Sequence, residues 1–173
     1  MQENSARPLA LSLTIAGGLA RFAQNLNFAP VGALSLFAGA RLRGWQAYLL
    51  PIALMAITDP FRGGYSLSTP FVYASFLINV WLGSRLRDTE SPLKIGGVAL
   101  IGCLQFFVLS NVSMMISLYP HTLAGLQTCF TLAIPFFRNT LLADLMFTAV
   151  AFGLHALLSR VVVRSERVAI QTA

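Results

Sequence analysis

From Leu93 to Leu118 the chain carries a single charged side chain, Lys94. A run that long and that apolar matches the roughly 20 residues a helix needs to cross hydrocarbon. Several similar runs flank it. Only 10% of the 173 residues are charged, against 56% hydrophobic. Soluble proteins carry about 25% charged residues, so a water-soluble globule of this length has too little polar cover. The composition predicts an all-α integral membrane bundle, with no room for a separate soluble catalytic domain, a long disordered tail or a coiled coil. The basic balance, 12 Lys+Arg against 6 Asp+Glu, then records orientation in a bilayer and gives no reason to expect nucleic acid as a partner.

Punctuation along the chain divides it into six expected transmembrane helices of one domain, at about 8–25, 28–42, 45–60, 70–85, 93–118 and 139–160. Pro8 is well placed to open the first. Arg41-Leu42-Arg43-Gly44 closes the second, and Pro60 with Gly63-Gly64 breaks the chain after the third. The segment 119–138 is apolar but interrupted by Gly125 and Pro135. It reads as an outer-rim helix, a re-entrant piece or a seventh crossing.

Charge arbitrates between six crossings and seven. With six, one side collects Arg7, Arg41, Arg43, Arg85, Arg87, Lys94, Arg160, Arg164 and Arg167, leaving Arg21, Arg62 and Arg138 on the other. That nine-to-three division becomes seven to five with a seventh crossing. The positive-inside rule therefore favours six, with both termini in the cytoplasm of a bacterial inner membrane. The leader holds Glu3 and one Arg7 with no clean cleavage motif after it, so the first run is expected to be a helix of the bundle. Cys103 and Cys129 both fall inside apolar runs and read as small buried hydrophobes. No metal site and no cofactor is expected.

Under this topology the polar side chains gather toward the outer half. Asn27, Asp59, Tyr65, Tyr73, Asn111, Tyr119, His121, Arg138, Asn139 and Asp144 form the expected wall of a substrate-binding pocket. A carboxylate near hydrocarbon costs several kcal/mol unless paired or wet, so Asp59 and Asp144 should face the bundle interior. Tyrosines supply contact area and amides fix orientation, a composition suited to a small polar or aromatic ligand. The bland alternative is that these groups are interhelical salt bridges and caps. The middle of the bundle offers no ionisable residue, and His155 reads as a helix-terminal group.

Ser12, Ala16 and Ala20 place small residues every four positions on the first helix, which lets another helix approach closely. They read either as internal packing or as a docking face for a second membrane protein. Motifs of hydrolases, metallopeptidases and nucleotide-binding loops are absent, so no enzyme is expected, and any use of ATP would need a partner.

Two resemblances bear on function. Asn27-Phe28-Ala29-Pro30-Val31-Gly32-Ala33-Leu34 with Phe37-Ala38-Gly39-Ala40 resembles the opening signature of a family of uncharacterised bacterial transport proteins. Tyr119-Pro120-His121-Thr122-Leu123-Ala124-Gly125-Leu126 and Pro135-Phe136-Phe137-Arg138-Asn139-Thr140-Leu141, with Asp144-Leu145, resemble its second signature. The layout also resembles the S components of energy-coupling-factor (ECF) vitamin transporters. Those have six helices, a pocket near the outer face, and an Ala-x-x-x-Ala stripe on the first helix that docks on a shared transmembrane subunit. Ala16-Gly17-Gly18-Leu19-Ala20 matches that stripe. The resemblance implies uptake of a small, vitamin-like nutrient from outside the cell, by a protein surrounded by membrane lipid, with a transmembrane coupling subunit and ATPases as partners. The rival expectation is a non-transporting scaffold that docks through its first helix.

Overall fold

The computed structural model describes residues 8–16 and 30–171, with side chains to residue 161. Asn27 and Ala20 lie outside the described residues. The described chain is all-α, with no strand. Helix α1 is described over 8–16. It is followed by α2 (Val31–Arg41), α3 (Gln46–Thr58) with a 3-10 turn over Asp59–Arg62, α4 (Thr69–Ser84), α5 (Pro92–Leu118) and α6 (Leu123–Gln171).

Local chemistry sets the boundaries. Pro70 and Pro92 occupy the first turns of α4 and α5, where the missing N–H would have no helical partner anyway. Gly63 leaves the 3-10 turn at φ 116°, a conformation that favours glycine because it carries no Cβ.

Helix α2 is the centre of the bundle. Every residue from Val31 to Ala40 is buried, with α3, α4, α5 and α6 packed around it. Its small residues explain how a helix can be enclosed on all sides. Gly39 lies against the carbonyl of Val80 on α4, and Gly83 of α4 lies against the carbonyl of Leu36 on α2. The two backbones touch at both points, a contact that only residues without side chains allow. Around this seam Phe37, Leu36, Val80, Leu86 and Phe152 form the main core. A smaller cluster of Val31, Met55 and Phe76 packs with Val72, Tyr73 and Phe106 nearer the Asp59 end.

The two longest helices are apolar on the outside as well. Only 22% of the most apolar stretch of α5 is buried, and 33% of that of α6. Ile101, Val108 and Ile116 on α5, with Leu132, Ile134 and Leu142 on α6, are exposed. Both helices are long and apolar enough to cross a membrane.

Helix α6 departs from the expected segmentation. A rim or re-entrant piece over 119–138 was to precede a last helix starting at 139, but 123–171 is one helix of 49 residues, about 70 Å long at the standard rise. Gly125 is part of its first turn: its N–H donates to Thr122 Oγ1 at 3.1 Å, the usual work of a threonine N-cap. Gly125 also faces the Pro120 carbonyl, where a side chain would not fit. Pro135 removes one backbone donor, yet the helix continues on both sides of it. Helices α5 and α6 thus form a long antiparallel hairpin about the turn 119–122.

Candidate functional site: a groove between the two long helices

The hairpin brings two phenylalanine pairs together. Phe106 and Phe107 lie on α5, Phe136 and Phe137 on α6, at comparable distances from the turn. The rings of Phe107 and Phe137 are 4.6 Å apart, and Phe107 meets Phe130 edge-on at 5.6 Å. Phe106 stacks on Phe76 of α4 at 5.4 Å. Beside these rings opens a groove of about 500 Å³, within the range of small-molecule sites. Its polar lining comes from Ser110, Asn111, Tyr119, Cys129 and Thr140.

Asn111 is held in place from its own helix. Its Nδ2 donates to the Phe107 carbonyl at 2.7 Å, and the Cys129 thiol donates to the Asn111 carbonyl at 3.6 Å across the hairpin. The amide is therefore oriented before any ligand arrives. An aromatic wall with a few fixed polar groups recognises a flat, partly polar molecule by stacking and by hydrogen bonds.

The other expected site residues are dispersed. Tyr73 donates to Asp59 Oδ2 at 2.7 Å, joining α4 to the end of α3. The Tyr65 hydroxyl donates to the Ala56 carbonyl at 2.8 Å, and His121 Nε2 lies 3.3 Å from the Ile116 carbonyl. Arg138 and Asn139 are on the exposed side of α6. Asn111 and Tyr119 are the two that line the groove.

Asp144 is elsewhere, and deeper than expected. It sits 21 residues into α6, near the middle of the apolar length Leu123–Val161, and is only 5% exposed. This corrects the expectation of a middle without an ionisable group. Its Oδ1 accepts the Ala33 N–H at 3.2 Å, and the Cys103 thiol of α5 also bonds to the carboxylate. Ala33 belongs to the first turn of α2, where the free N–H groups and the helix dipole favour negative charge. Gly32 makes the approach possible, because a Cβ there would stand 2.5 Å from Asp144 Oδ1.

Asn79 and Thr148 line the same space as the carboxylate, and Gln105 is bonded to Asn79. Gln105 Nε2 faces three acceptors, the Ser75 and Gly102 carbonyls and Asn79 Oδ1, at 3.0–3.1 Å. Thr148 Oγ1 and Gln105 Oε1 are buried without a hydrogen-bond partner. The space lined by Gly32, Asn79, Gly102, Asp144 and Thr148 does not admit a water-sized sphere.

Toward the opposite end a second groove of about 310 Å³ lies between α5 and α6, lined in part by Arg41, Glu90, Gly96, Thr148 and Phe152. Arg41 donates to the Arg87 and Thr89 carbonyls at 3.1 and 3.4 Å and lies over the Phe152 ring at 5.2 Å. Thr148 is common to the Asp144 cluster and the second groove. Among the described residues no group of three His, Cys, Asp or Glu is placed to hold a metal ion.

Sequence reasoning missed the phenylalanines, Ser110, Cys129 and Thr140. The available signal was the pair of Phe-Phe doublets on either arm of a hairpin.

Fold and site define a small all-helical protein with two long apolar helices, an aromatic groove between them and a buried carboxylate below it. Residues 2–167 match a family of unknown function (DUF6580), and the chain belongs to that family. No curated protein and no solved structure matches it.

Proposed function

We propose that this chain is a multi-pass protein of the bacterial inner membrane that captures a small, vitamin-like nutrient for uptake, as an S-component-like subunit. The observation that carries the reading is the groove of about 500 Å³ between two helices whose outer faces are apolar and exposed. In water such faces would drive aggregation; in lipid they are solvated. The remaining four crossings of a six-span bundle are then α1, α2, α3 and α4, with α2 enclosed by the others. Arg41, Arg43, Arg85, Arg87 and Lys94 then face the cytoplasm, which turns the aromatic groove to the outside. Asn111 orients the ligand and the phenylalanines stack on it.

Uptake of labelled vitamins by cells expressing the protein tests this. Accumulation above that of an Asn111→Leu control is expected; no accumulation of any candidate counts against the reading.

One observation favours the rival, a scaffold that docks through α1. Ala10 and Thr14 face inward at 0% exposure, while Ser12 and Ala16 are exposed on the other side. That leaves part of the small-residue stripe free for another helix. Co-purification from native membranes separates the two: a stable partner with no ligand in the groove supports the scaffold, and a ligand supports capture.

A further inference from the structure

Asp144 is buried at the middle of the long hairpin, and no Lys, Arg or His is bonded to it among the described residues. A charged group so placed is costly in a membrane, and such residues mark ion or proton pathways. The groups that face it are the Ala33 N–H on α2, the Cys103 thiol on α5 and, lining the same space, Asn79 on α4 and Thr148 on α6. Arg41 and His155 stand apart from it, against Phe152 and Phe37, and Arg138 is on the exposed side of α6.

The cluster is equipped for two protonation states. For the ionised carboxylate it offers donors, the Ala33 N–H and the Cys103 S–H. Thr148 Oγ1, 2% exposed and without a partner, borders the same space; as a hydroxyl it can donate to the ionised carboxylate or accept from the protonated one. A buried hydroxyl left unbonded is costly, and a carboxylic O–H would satisfy it. That space is too small for a water-sized sphere, which suits a bare proton better than a metal cation with its shell of oxygen ligands.

We propose that Asp144 is a proton-binding site that sets the strength of the contact between α2 and α6. The step is a simple addition: a proton from solution joins a carboxylate oxygen, the charge at the α2 amino end disappears, and the new O–H turns to Thr148. Neutralised, the carboxyl holds Ala33 less strongly, so the contact between α2 and α6 loosens. On release of the proton the charge returns and the contact tightens. The inference rests on the membrane reading for the meaning of the central position, while the titration itself requires no transported ligand.

Infrared difference spectroscopy on the full chain in lipid nanodiscs, grown with 13C-carboxyl aspartate, tests it. The chain has three aspartates, Asp59, Asp88 and Asp144, so the label isolates few groups. Between about pH 5 and about pH 9, a span that covers carboxyls shifted by burial, one isotope-shifted carboxylic band is expected to titrate. It should vanish in Asp144→Asn, persist in Asp88→Asn and Asp59→Asn, and move to higher frequency in Thr148→Val. No titrating aspartate band in the wild-type protein would overturn the proposal, as would a band that survives Asp144→Asn or responds to sodium instead of pH. Failure of vitamin uptake with the titration intact would remove the uptake reading alone.

Discussion

Asp144 on α6 accepts the backbone N–H of Ala33 in the first turn of α2 at 3.2 Å. One carboxylate thereby ties the last helix to the amino end of the most enclosed one, and Gly32 keeps the space it needs. Gly32→Ala would put a methyl 2.5 Å from Asp144 Oδ1. We expect a loss of about 1–3 kcal/mol, as for other overpacked cores, read as a lower thermal midpoint in detergent. Gly32→Ala with Asp144→Ala should cost less than the two single changes together, because they share one contact.

The seam between α2 and α4 is less forgiving. A Cβ on Gly39 or Gly83 meets a backbone carbonyl, of Val80 or of Leu36, and neither can rotate away. Gly39→Ala and Gly83→Ala should each destabilise by about 3 kcal/mol, the upper end for overpacking. Gly97→Ala on α5 meets nothing within 4 Å and should gain up to about 1 kcal/mol from helix propensity. Thermal unfolding of the three variants side by side checks the contrast.

Tyr73 donates to the buried carboxylate of Asp59 at 2.7 Å. Tyr73→Phe removes that donor without changing the ring, and leaves Asp59 with one bond fewer. A loss of about 1–3 kcal/mol is expected for a bond to a charged group. Denaturation of the variant measures it, and vitamin uptake should be unchanged because Tyr73 does not line the groove.

Phe107 joins the rings of Phe130 and Phe137. Phe107→Ala should weaken capture through lost stacking, worth about 0.5–1.5 kcal/mol per aromatic pair, or roughly twofold to tenfold in Kd. Asn111→Leu keeps the volume and removes the fixed amide, so it should cost at least tenfold, the loss of one oriented hydrogen bond in an enclosed site. Equilibrium binding of the ligand found by uptake reads both.

The all-α class was legible because runs such as 93–118 are too long and too apolar for anything but helices. The seam of α2 was hidden: Gly39 and Gly83 say that something comes close, and only the fold says that each meets the other's helix. The start of α6 was misread for a physical reason. Gly125 and Pro135 break helices in isolation, but here Gly125 answers a Thr122 cap and Pro135 is carried by the helix on either side. Starting the helix at 139 set Asp144 at a rim; starting it at 123 sets it in the middle. The groove was half legible. Asn111 and Tyr119 drew attention as polar groups in apolar surroundings, whereas a phenylalanine in a hydrophobic run carries no signal until the partner helix of its hairpin is known.

Native mass spectrometry of the full chain, released from gently extracted membranes, tests nutrient capture most directly. A small-molecule adduct on the wild-type protein, absent from a folded Asn111→Leu variant, is the predicted result. A wild-type chain that carries only phospholipid, and takes up none of the added vitamins, would contradict it.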